Sequence, residues 1–581
     1  MWFTTRRMGY EYDRVDRPED VLASRLAPEA HRDRVRQEVV GHRHRVGLGQ
    51  DVVSGTRVSH RAFRDQDWES PRLITLRPQF TLTTWSHEDR KEVEILEKTL
   101  TFLSPHRYKS KEFQAGTWDG YWRFMWDDSF LTGLLPHVIS ELQKRSQPFV
   151  IANPDGGVVW QSSDLRKLAD GDLSVLWSHR IEGDGDLGRF RLRDYQEAAV
   201  EKAIRKMRGV IEMATGAGKT VVAAGIMKRL GLPALYIVGS TKIAAQAFET
   251  FRDAGFRVGQ LGGGRKRPHG DVVVSTIQSL VRLIKKGKAN ELLDRPVIFW
   301  DEVHHLSAET WTLSGRLSRA QYRFGMSGTP FRGDGFEFYE DIILRGIAGE
   351  RIVYIPSYFL RKRGYLADPY VAMVTIKSNP HARQFVWSND WHRIYSFGIV
   401  KNDARNEAAM RIAQQLYEQG HKVLVIVQRI EHGDSLMCQL HGRGVTTEFL
   451  KGGDAVRYMN TDSVSERFEE WDTTRSFLER EDRWVRIASP VLDEGVDLPT
   501  ITAIVILAGG RSPIKTIQRI GRGLRRKEGE NVVLVFDFKD VFNPVLKRHS
   551  AQRRNWYARH RFNISEGVES VSHLLDKPLV I

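Results

Sequence analysis

One segment of the chain has the residue types and spacing of a loop that binds phosphate groups. Residues 213–220 read MATGAGKT, follow an apolar run and precede the helical pattern of residues 221–230. In such a loop, glycines let backbone N–H groups turn inward around phosphates, a lysine reaches the β- and γ-phosphates, and a threonine hydroxyl serves Mg²⁺. Met213 stands where the general pattern has its first glycine. We expect a nucleoside triphosphate to contact Thr215, Gly216, Ala217, Gly218, Lys219 and Thr220.

Two adjacent carboxylates follow a second apolar run. Asp301 and Glu302 come directly after residues 296–300. Side chains at the carboxyl ends of parallel strands meet in the crevice where α/β sheets bind ligands. An Asp-Glu pair after a strand is by itself usually part of a solvated loop, but here a phosphate loop accompanies it. We expect Asp301 to hold Mg²⁺ together with Thr220, and Glu302 to orient and deprotonate an attacking water.

Apolar, β-branched runs that alternate with helical segments must position these residues. Such runs suit strands that helices bury on both faces. Two sets of them predict an α/β fold with two parallel-sheet lobes. The first set comprises residues 209–214, 233–238, 271–276, 296–300 and 323–326, and the second comprises 423–427, 485–488, 501–507 and 531–538.

A smaller folded region precedes the lobes. It contains a predicted strand at 73–76, a helix at 87–103, an aromatic strand at 121–126 and a helix at 134–142, which together indicate a small α+β accessory domain. The phosphate loop and the carboxylate pair both lie beyond residue 190, which predicts that the two lobes are separable from residues 1–160. The expected domains are a charged, poorly ordered extension (1–70), the accessory domain (71–160), a linker (161–189), lobe 1 (190–348), lobe 2 (349–540) and a basic C-terminal tail (541–581).

The charge balance favours a polyanionic partner. The 581 residues carry a formal net charge of +15, and phosphates exchange condensed counterions for Lys and Arg. A basic surface kept for solubility is the alternative interpretation. The single cysteine, Cys438, excludes an internal disulfide and a Cys-based zinc site, which fits a reducing cytoplasm. The longest apolar stretches fall far short of the roughly 20 residues that a membrane span needs.

Together these motifs resemble those of the superfamily 2 helicases and translocases. Residues 301–304 (DEVH) are similar to their DExH box, and residues 192–196 to their adenine-reading segment, with Arg193 and Gln196 as contacts. The resemblance implies two RecA-like lobes of the P-loop NTPase class that hydrolyse ATP in the cleft between them. It also implies that hydrolysis is coupled to movement on nucleic acid through His304, which would bond Gln518, and through Ser327, Gly328 and Thr329.

Two segments of lobe 2 resemble motifs V and VI of the same superfamily. In the first, Gly495 and Asp497 would contact nucleotide. In the second, Gln518, Arg522 and Arg525 share one face if the segment is helical, because they are spaced at i, i+4 and i+7. That face would look across the cleft, with both arginines as fingers on the γ-phosphate. Standing alone, the segment would be an Arg-rich solvated helix.

The nucleic-acid contacts are also implied by the resemblance. Short hydroxyl and amide side chains can bond a phosphate backbone without reading bases, which suits a motor that tracks any sequence. Residues 262–267 (GGGRKR) are either a phosphate clamp or a flexible exposed loop. The expected contacts are Ser240, Thr241, Lys242, Thr276, Gln278 and Ser279 in lobe 1, and Gln428 and Arg429 in lobe 2.

Further segments resemble the UvsW-type helicases of bacteriophages, which are relatives of the XPB-like DNA translocases. These segments are residues 363–369, 398–406 and 429–433 in lobe 2, and 115–135 in the accessory domain. The resemblance implies a monomeric DNA helicase that remodels forks, Holliday junctions, D-loops or R-loops in recombination and repair, with RNA–DNA hybrids as further partners. The alternatives are the motor subunit of a restriction or defence complex, an RNA helicase, and an ATP-gated DNA clamp.

Overall fold

The structure is a computed structural model that describes most of the chain from residue 74 onwards. No helix within the described part is both long and apolar enough to cross a membrane. The expected extension (1–70) and nearly all of the expected linker (161–189) lie outside the described residues. The description covers residues 74–152, 185 and 190–568, apart from 80, 87–89, 334, 378, 380, 382–384, 386, 387, 389, 452–454, 461, 462, 469–480, 490–500 and 511–530.

The accessory domain is a five-stranded sheet with the order β5-β6-β2-β1-β7, accompanied by a two-stranded ribbon of β3 and β4. The predicted helix at 87–103 is wrong at its end, because residues 101–103 form β3 and pair with β4. The predicted strand at 121–126 is interrupted at Phe124, whose buried ring joins the core. The elements are β1 (Ile74–Pro78), β2 (Leu82–Ser86), α1 (Arg90–Thr99), β3 (Thr101–Leu103), α2 (Lys111–Gln114), β4 (Tyr121–Arg123), β5 (Met125–Trp126), β6 (Ser129–Leu131), α3 (Leu135–Lys144) and β7 (Phe149–Ile151).

Lobe 1 is an eight-stranded sheet with the order β11-β10-β12-β9-β13-β14-β8-β15, parallel except for the β10–β11 pair. The five predicted strands of this lobe are confirmed within two residues. Its elements are α4 (Asp194–Lys206), β8 (Arg208–Met213), α5 (Lys219–Leu230), β9 (Ala234–Val238), α6 (Thr241–Asp253), β10 (Val258–Gly262), β11 (Arg265–Arg267), β12 (Val272–Thr276), α7 (Ile277–Lys285), α8 (Asn290–Leu293), β13 (Val297–Asp301), α9 (Glu309–Leu317), β14 (Tyr322–Ser327), α10 (Tyr339–Ala348), β15 (Arg351–Ile355) and α11 (Ser357–Lys362).

Lobe 2 is a second sheet whose described strands have the order β20-β19-β18-β21-β17-β22-β23-β16-β24. The seven strands from β18 to β24 in this order are parallel to one another, whereas β18, β19 and β20 form an antiparallel meander. Its elements are β16 (Asp368–Ile376), α12 (Trp391–Tyr395), α13 (Asp403–Glu418), β17 (Lys422–Ile426), α14 (Ile430–His441), β18 (Thr447–Lys451), β19 (Ala455–Asn460), β20 (Ser463–Phe468), β21 (Trp484–Ala488), β22 (Ala503–Ile506), β23 (Val532–Asp540), α15 (Pro544–Arg559) and β24 (Asn563–Val568).

Both expected boundaries of lobe 2 differ from the structure. The sheet of lobe 1 continues past residue 348, because β15 pairs in parallel with the phosphate-loop strand β8. Residues 541–568 of the expected tail instead belong to lobe 2, because α15 packs on the lobe through Leu546, Arg553 and Tyr557, and β24 pairs with β16. The other arginines of α15 and its lysine lie on the exposed face of the helix.

The accessory domain and lobe 1 share one apolar core, and α10 lies between them. Phe102 of the accessory domain stacks on Phe336 of lobe 1, with ring centroids 5.1 Å apart. A Cβ on Gly346 of α10 would lie 2.6 Å from Leu131 Cδ1, so the glycine permits a very close approach. The structure argues against a motor that separates from these residues, because their removal would expose this core to water.

Two buried arginines reinforce the same junction. Arg323, at the start of β14, donates to Thr81 Oγ1 of the accessory domain (3.1 Å) and to the carbonyl of Ile347 (3.1 Å). Arg208 donates to the same carbonyl at 2.7 Å. Thr81 in turn donates to the carbonyl of Ser318 at 2.6 Å. Because buried charges require hydrogen-bond partners, these contacts tie the accessory domain to lobe 1 near the start of β14.

Candidate nucleotide and nucleic-acid sites

The phosphate loop lies at the carboxyl end of β8, followed directly by α5. Gly216 and Gly218 have φ angles of 81° and 82°, in a region that residues with a Cβ rarely adopt. Gly218 caps α5, which begins at Lys219, so the first N–H groups and the positive end of the helix face the loop. The strand, loop and helix predicted around these residues are all present, with Thr215 and Ala217 in the loop and Thr220 in the first turn of α5.

Asp301 and Glu302 lie at the carboxyl end of β13, two positions along the sheet from β8. The backbone N–H of Glu302 donates to Asp301 Oδ1 at 3.0 Å. Glu302 has a φ of 48°, and such a left-handed conformation costs on the order of 1–3 kcal/mol for a residue with a side chain. Burial raises the pKa of Asp301, and the adjacent charge of Glu302 raises it further.

Glu302 stands between the phosphate loop and the end of β14. Lys219 Nζ lies 3.9 Å from Glu302 Oε1, while Ser327 Oγ donates to Oε2 at 3.1 Å. His304 Nδ1 lies 3.4 Å from Oε2 and 3.2 Å from Ser327 Oγ. Burial alone would raise the pKa of Glu302, but the charge of Lys219 and hydrogen bonds from His304 and Ser327 lower it. Glu302 is therefore ionised, with its two carboxylate oxygens bonded on opposite sides.

The Ser327-Gly328-Thr329 segment packs directly on the phosphate loop. A Cβ on Gly328 would lie 3.4 Å from the carbonyl oxygen of Met213 and 3.7 Å from the N of Thr215. The N–H of Thr329 donates to Ser327 Oγ at 3.2 Å, which fixes the direction of the chain after β14. The structure thus places this segment, which was predicted to couple hydrolysis to movement on nucleic acid, next to the phosphate loop and to Glu302.

Gln196 and Arg193 also lie at the phosphate loop. Gln196 is buried, its Nε2 donates to the carbonyl of Ala217 (3.0 Å), and its Oε1 accepts from the N of Arg193 (3.0 Å). The Arg193 guanidinium lies over the ring of Tyr365, 4.6 Å from its centroid. In this structure the Gln196 amide holds the loop, and contact with an adenine stays a prediction for both residues.

Sequence reasoning missed Tyr236, which stands in the centre of β9. Its buried hydroxyl lies beside Thr220 and Asp301, and burial together with the charge of Asp301 raises its pKa well above the ordinary value. The tyrosine therefore stays protonated, close to both predicted magnesium ligands. The only available signal was a hydroxyl within an otherwise apolar run, which sequence analysis assigns to the core.

The predicted residues of motifs V and VI, namely Gly495, Asp497, Gln518, Arg522 and Arg525, lie outside the described residues. The chain immediately before residues 511–530 is nevertheless held firmly. Arg553 supports this region through a bidentate ion pair with buried Asp537. Three buried side chains donate to carbonyls at the end of β22: Arg405 to Leu507 (2.9 Å), Tyr395 to Ala508 (2.8 Å) and Arg553 to Gly510 (2.7 Å).

The predicted nucleic-acid contacts of lobe 1 follow β9 and β12 at the edge of the sheet that also carries the phosphate loop. Ser240 caps α6, whose first residues are Thr241 and Lys242, and Thr276 caps α7. Gln278 joins the two helix starts, because its Nε2 donates to the carbonyl of Gly239 at 3.2 Å. Ser279 Oγ accepts from Thr276 Oγ1 at 3.0 Å.

The predicted contacts of lobe 2 occupy the corresponding edge of the second sheet. Gln428 and Arg429 lie between β17 and α14, and Gln428 is exposed. The Arg429 guanidinium donates to Glu431 Oε1 at 3.2 Å and lies 5.3 Å from the centroid of the Tyr395 ring. Residue 429 thus adjoins the tyrosine that holds the chain before motif VI.

Two family models match the chain, one in each lobe. The model for the res subunit of type III restriction enzymes matches residues 189–332, and the helicase conserved C-terminal domain matches residues 406–527. The first match contains the phosphate loop and the DEVH segment in the geometry described above. The two lobes therefore carry the paired domains of a superfamily 2 helicase. The predicted family and the two RecA-like lobes are confirmed, and the helicase domains imply that the enzyme uses ATP.

Individual proteins are similar to this helicase over most of its length. The DNA 3'-5' translocase XPB2 of Sulfurisphaera tokodaii is 27% identical over 391 residues, which are 62% of this chain and 84% of that protein. The DNA 3'-5' helicase XPB of Kineococcus radiotolerans is 27% identical over 390 residues, 63% of this chain and 62% of that protein. The crystal structure of T4 UvsW matches with a TM-score of 0.36 and 18% identity, over 85% of this chain and 98% of that one.

Proposed function

We propose that this helicase is an ATP-driven DNA motor that moves along one strand and remodels branched DNA. The observation that carries the proposal is the position of Glu302, which forms an ion pair with Lys219 of the phosphate loop on one side and accepts a hydrogen bond from Ser327 on the other. The XPB proteins similar to this chain are named as DNA helicases and translocases. The net charge of +15 supports a polyanionic partner.

Lys219 and Glu302 have different roles in ATP hydrolysis. When ATP enters, Lys219 exchanges the Glu302 carboxylate for the β- and γ-phosphate oxygens. Glu302, already ionised, is then free to orient an attacking water and to take its proton. Arg522 and Arg525 would approach the γ-phosphate from lobe 2, and Gly495 and Asp497 would contact the nucleotide beside them.

The residues beside Tyr236 fit a magnesium ion that binds together with ATP. The Thr220 hydroxyl and the Asp301 carboxylate both lie next to the Tyr236 hydroxyl, and Mg²⁺ is commonly held by one or two oxygen side chains plus substrate phosphates. When bound, Mg²⁺ neutralises charge on the β- and γ-phosphates.

Ser327 and His304 couple the nucleotide to the strand. Their shared contact with Glu302 changes when Glu302 turns to the water, and the segment 327–329 leads directly to the core that lobe 1 shares with the accessory domain. We further propose that the enzyme acts as a monomer in the cytoplasm, and that it accepts RNA–DNA hybrids when the tracked strand is DNA.

ATP turnover in the presence of matched nucleic acids tests the proposal. We expect strong stimulation by forked, four-way and R-loop DNA and weaker stimulation by blunt duplex, with Glu302→Gln as a variant that binds ATP without turnover. Equal stimulation by blunt and branched duplexes would favour the motor subunit of a restriction complex. Unwinding of all-RNA duplexes without unwinding of forked DNA would reject the DNA assignment, and binding without any strand movement would leave an ATP-gated clamp.

A further inference from the structure

The β10–β11 hairpin lies at one side of the lobe 1 sheet. Its turn is at the same carboxyl-terminal edge of the strands as the predicted nucleotide and nucleic-acid sites. Across the sheet, the phosphate loop follows β8, the DEVH segment follows β13, and the predicted nucleic-acid contacts follow β9 and β12. The turn of the hairpin, Gly262–Gly264, comes at the carboxyl end of β10, one strand beyond β12. Since neighbouring strands are about 4.8 Å apart, the turn is an immediate neighbour of the β12 end.

Glycines bring this turn into contact with both helix starts. A Cβ on Gly262 would lie 2.8 Å from Thr276 Oγ1, and a Cβ on Gly263 would lie 3.5 Å from Thr241 Cγ2. Gly263 and Gly264 have φ angles of 59° and 82°, which suit the tight turns that join two antiparallel strands. Residues 262–267 are therefore a paired hairpin, and the alternative of a flexible loop is wrong.

The hairpin carries a concentrated positive charge. Arg265, Lys266 and Arg267 are all exposed, and residues 254–270 contain no Asp or Glu. Arg265 is anchored, because its Nη1 donates to Gln260 Oε1 at 2.8 Å and its guanidinium lies over Phe248. Within the described part of the structure, Lys266 and Arg267 form no ion pair with a carboxylate.

We propose that this hairpin is a phosphate-contacting arm, in which Lys266 and Arg267 bind the sugar–phosphate backbone just beyond Thr241 and Thr276. The inference rests on the proposed function as a DNA motor and adds a contact to the strand that the motor binds. Two helix N-termini and two cationic side chains then surround one stretch of strand, an arrangement that attracts phosphates without regard to base sequence.

Edge protection is a competing explanation for the same charges. Natural sheets place lysines and other charged residues on edge strands to prevent pairing with other molecules, and β11 is an edge strand. Charge reversal separates the two explanations, because Glu protects an edge as well as Lys does but repels phosphate.

The test measures binding of full-length protein to a short single-stranded oligothymidylate over a range of salt concentrations. For K266Q/R267Q we expect the slope of log K against log salt to become shallower by about 1.4, since each phosphate contact to a single strand contributes about 0.7. At 0.1 M salt the same relation gives a loss of affinity on the order of 25-fold. K266E/R267E should bind more weakly still, while thermal unfolding verifies that both variants are folded.

K286Q/K288Q is the matched control. These two lysines are exposed and follow the far end of α7, away from the Thr276 end. The control should keep the wild-type slope and ATP turnover. The arm is rejected if K266Q/R267Q keeps the wild-type slope, if K266E/R267E binds like wild type, or if the control loses as much affinity. A wild-type protein that binds the oligonucleotide but shows no DNA-stimulated turnover would instead overturn the proposed motor function and leave the arm standing.

Discussion

Replacing Gly133 by alanine should loosen the junction between the accessory domain and lobe 1. Gly133 lies in the short 3₁₀ turn Thr132–Leu134 that faces α10. A Cβ there would lie 2.0 Å from the carbonyl oxygen of Arg345 and 2.6 Å from that of Gly346, whereas real Cβ contacts stay beyond 3.0 Å. Both obstructing atoms are backbone, so the domain must move by about 1 Å or the turn must unfold. Overpacking of this kind costs roughly 1–3 kcal/mol, and we expect about 3 kcal/mol.

Urea unfolding of the full chain, followed by tryptophan fluorescence, measures the change in free energy. Backbone entropy opposes the packing effect, because alanine is favoured over glycine by roughly 0.5–1 kcal/mol in helical conformations. A stabilised Gly133→Ala protein would therefore contradict the tight junction directly. Gly335→Ala is the control, because its Cβ would meet no atom within 4 Å. Unfolding free energies of the two variants that agree within about 0.5 kcal/mol would refute the reasoning, since that is the usual scatter of surface substitutions.

Five further substitutions test the site and lobe 2. Lys219→Ala should weaken ATP binding and abolish turnover, while Glu302→Gln should abolish turnover and retain bound ATP, as nucleotide binding and single-turnover assays would show. Ser327→Ala removes a hydrogen bond to an ionised carboxylate, worth about 1.5–3 kcal/mol, so DNA-stimulated turnover should fall at least tenfold. Arg553→Met leaves Asp537 buried without its partner and should cost about 3–5 kcal/mol in urea unfolding. Burial and the charge of Arg405 lower the pKa of His432 to about 3. As the pH falls below about 6.5, this histidine is therefore protonated in the unfolded chain before it is protonated in the folded one, and the free energy of unfolding should decline by up to about 1.4 kcal/mol per pH unit towards pH 3. His432→Gln should remove this contribution to the decline.

The two lobes could be predicted because their central strands are buried on both faces. β9 and β13 are completely buried, so their sequences are continuously apolar and stand out from the surroundings. The elements at the sheet edges gave weaker signals. β10 contains two glycines and a glutamine, and β24 pairs with β16 far away along the chain, as in the register of Tyr370 with Asn563. Pairing over such a distance leaves no local pattern in either strand.

The candidate site, too, could be predicted from the sequence only in part. Residue types and spacing were sufficient to select Lys219, Asp301 and Glu302, because their chemistry requires those side chains after strands. The contact of Ser327 with Glu302 and the position of Tyr236 depend on which strands are neighbours in the sheet, and the sequence does not specify strand order. The shared core of the accessory domain was missed for a similar reason, since its apolar face is completed only by α10.

That shared core has a mechanical consequence. A joint packed along the whole of α10, and fastened by Arg323 and Thr81, has no hinge of its own. In the proposed motor, the accessory domain would therefore move together with lobe 1, and movement of the two lobes relative to each other would be taken up in the connection between β15 and β16. In that case a load attached to the accessory domain would move with lobe 1, so a force sensor on that domain would report the movement of lobe 1 directly.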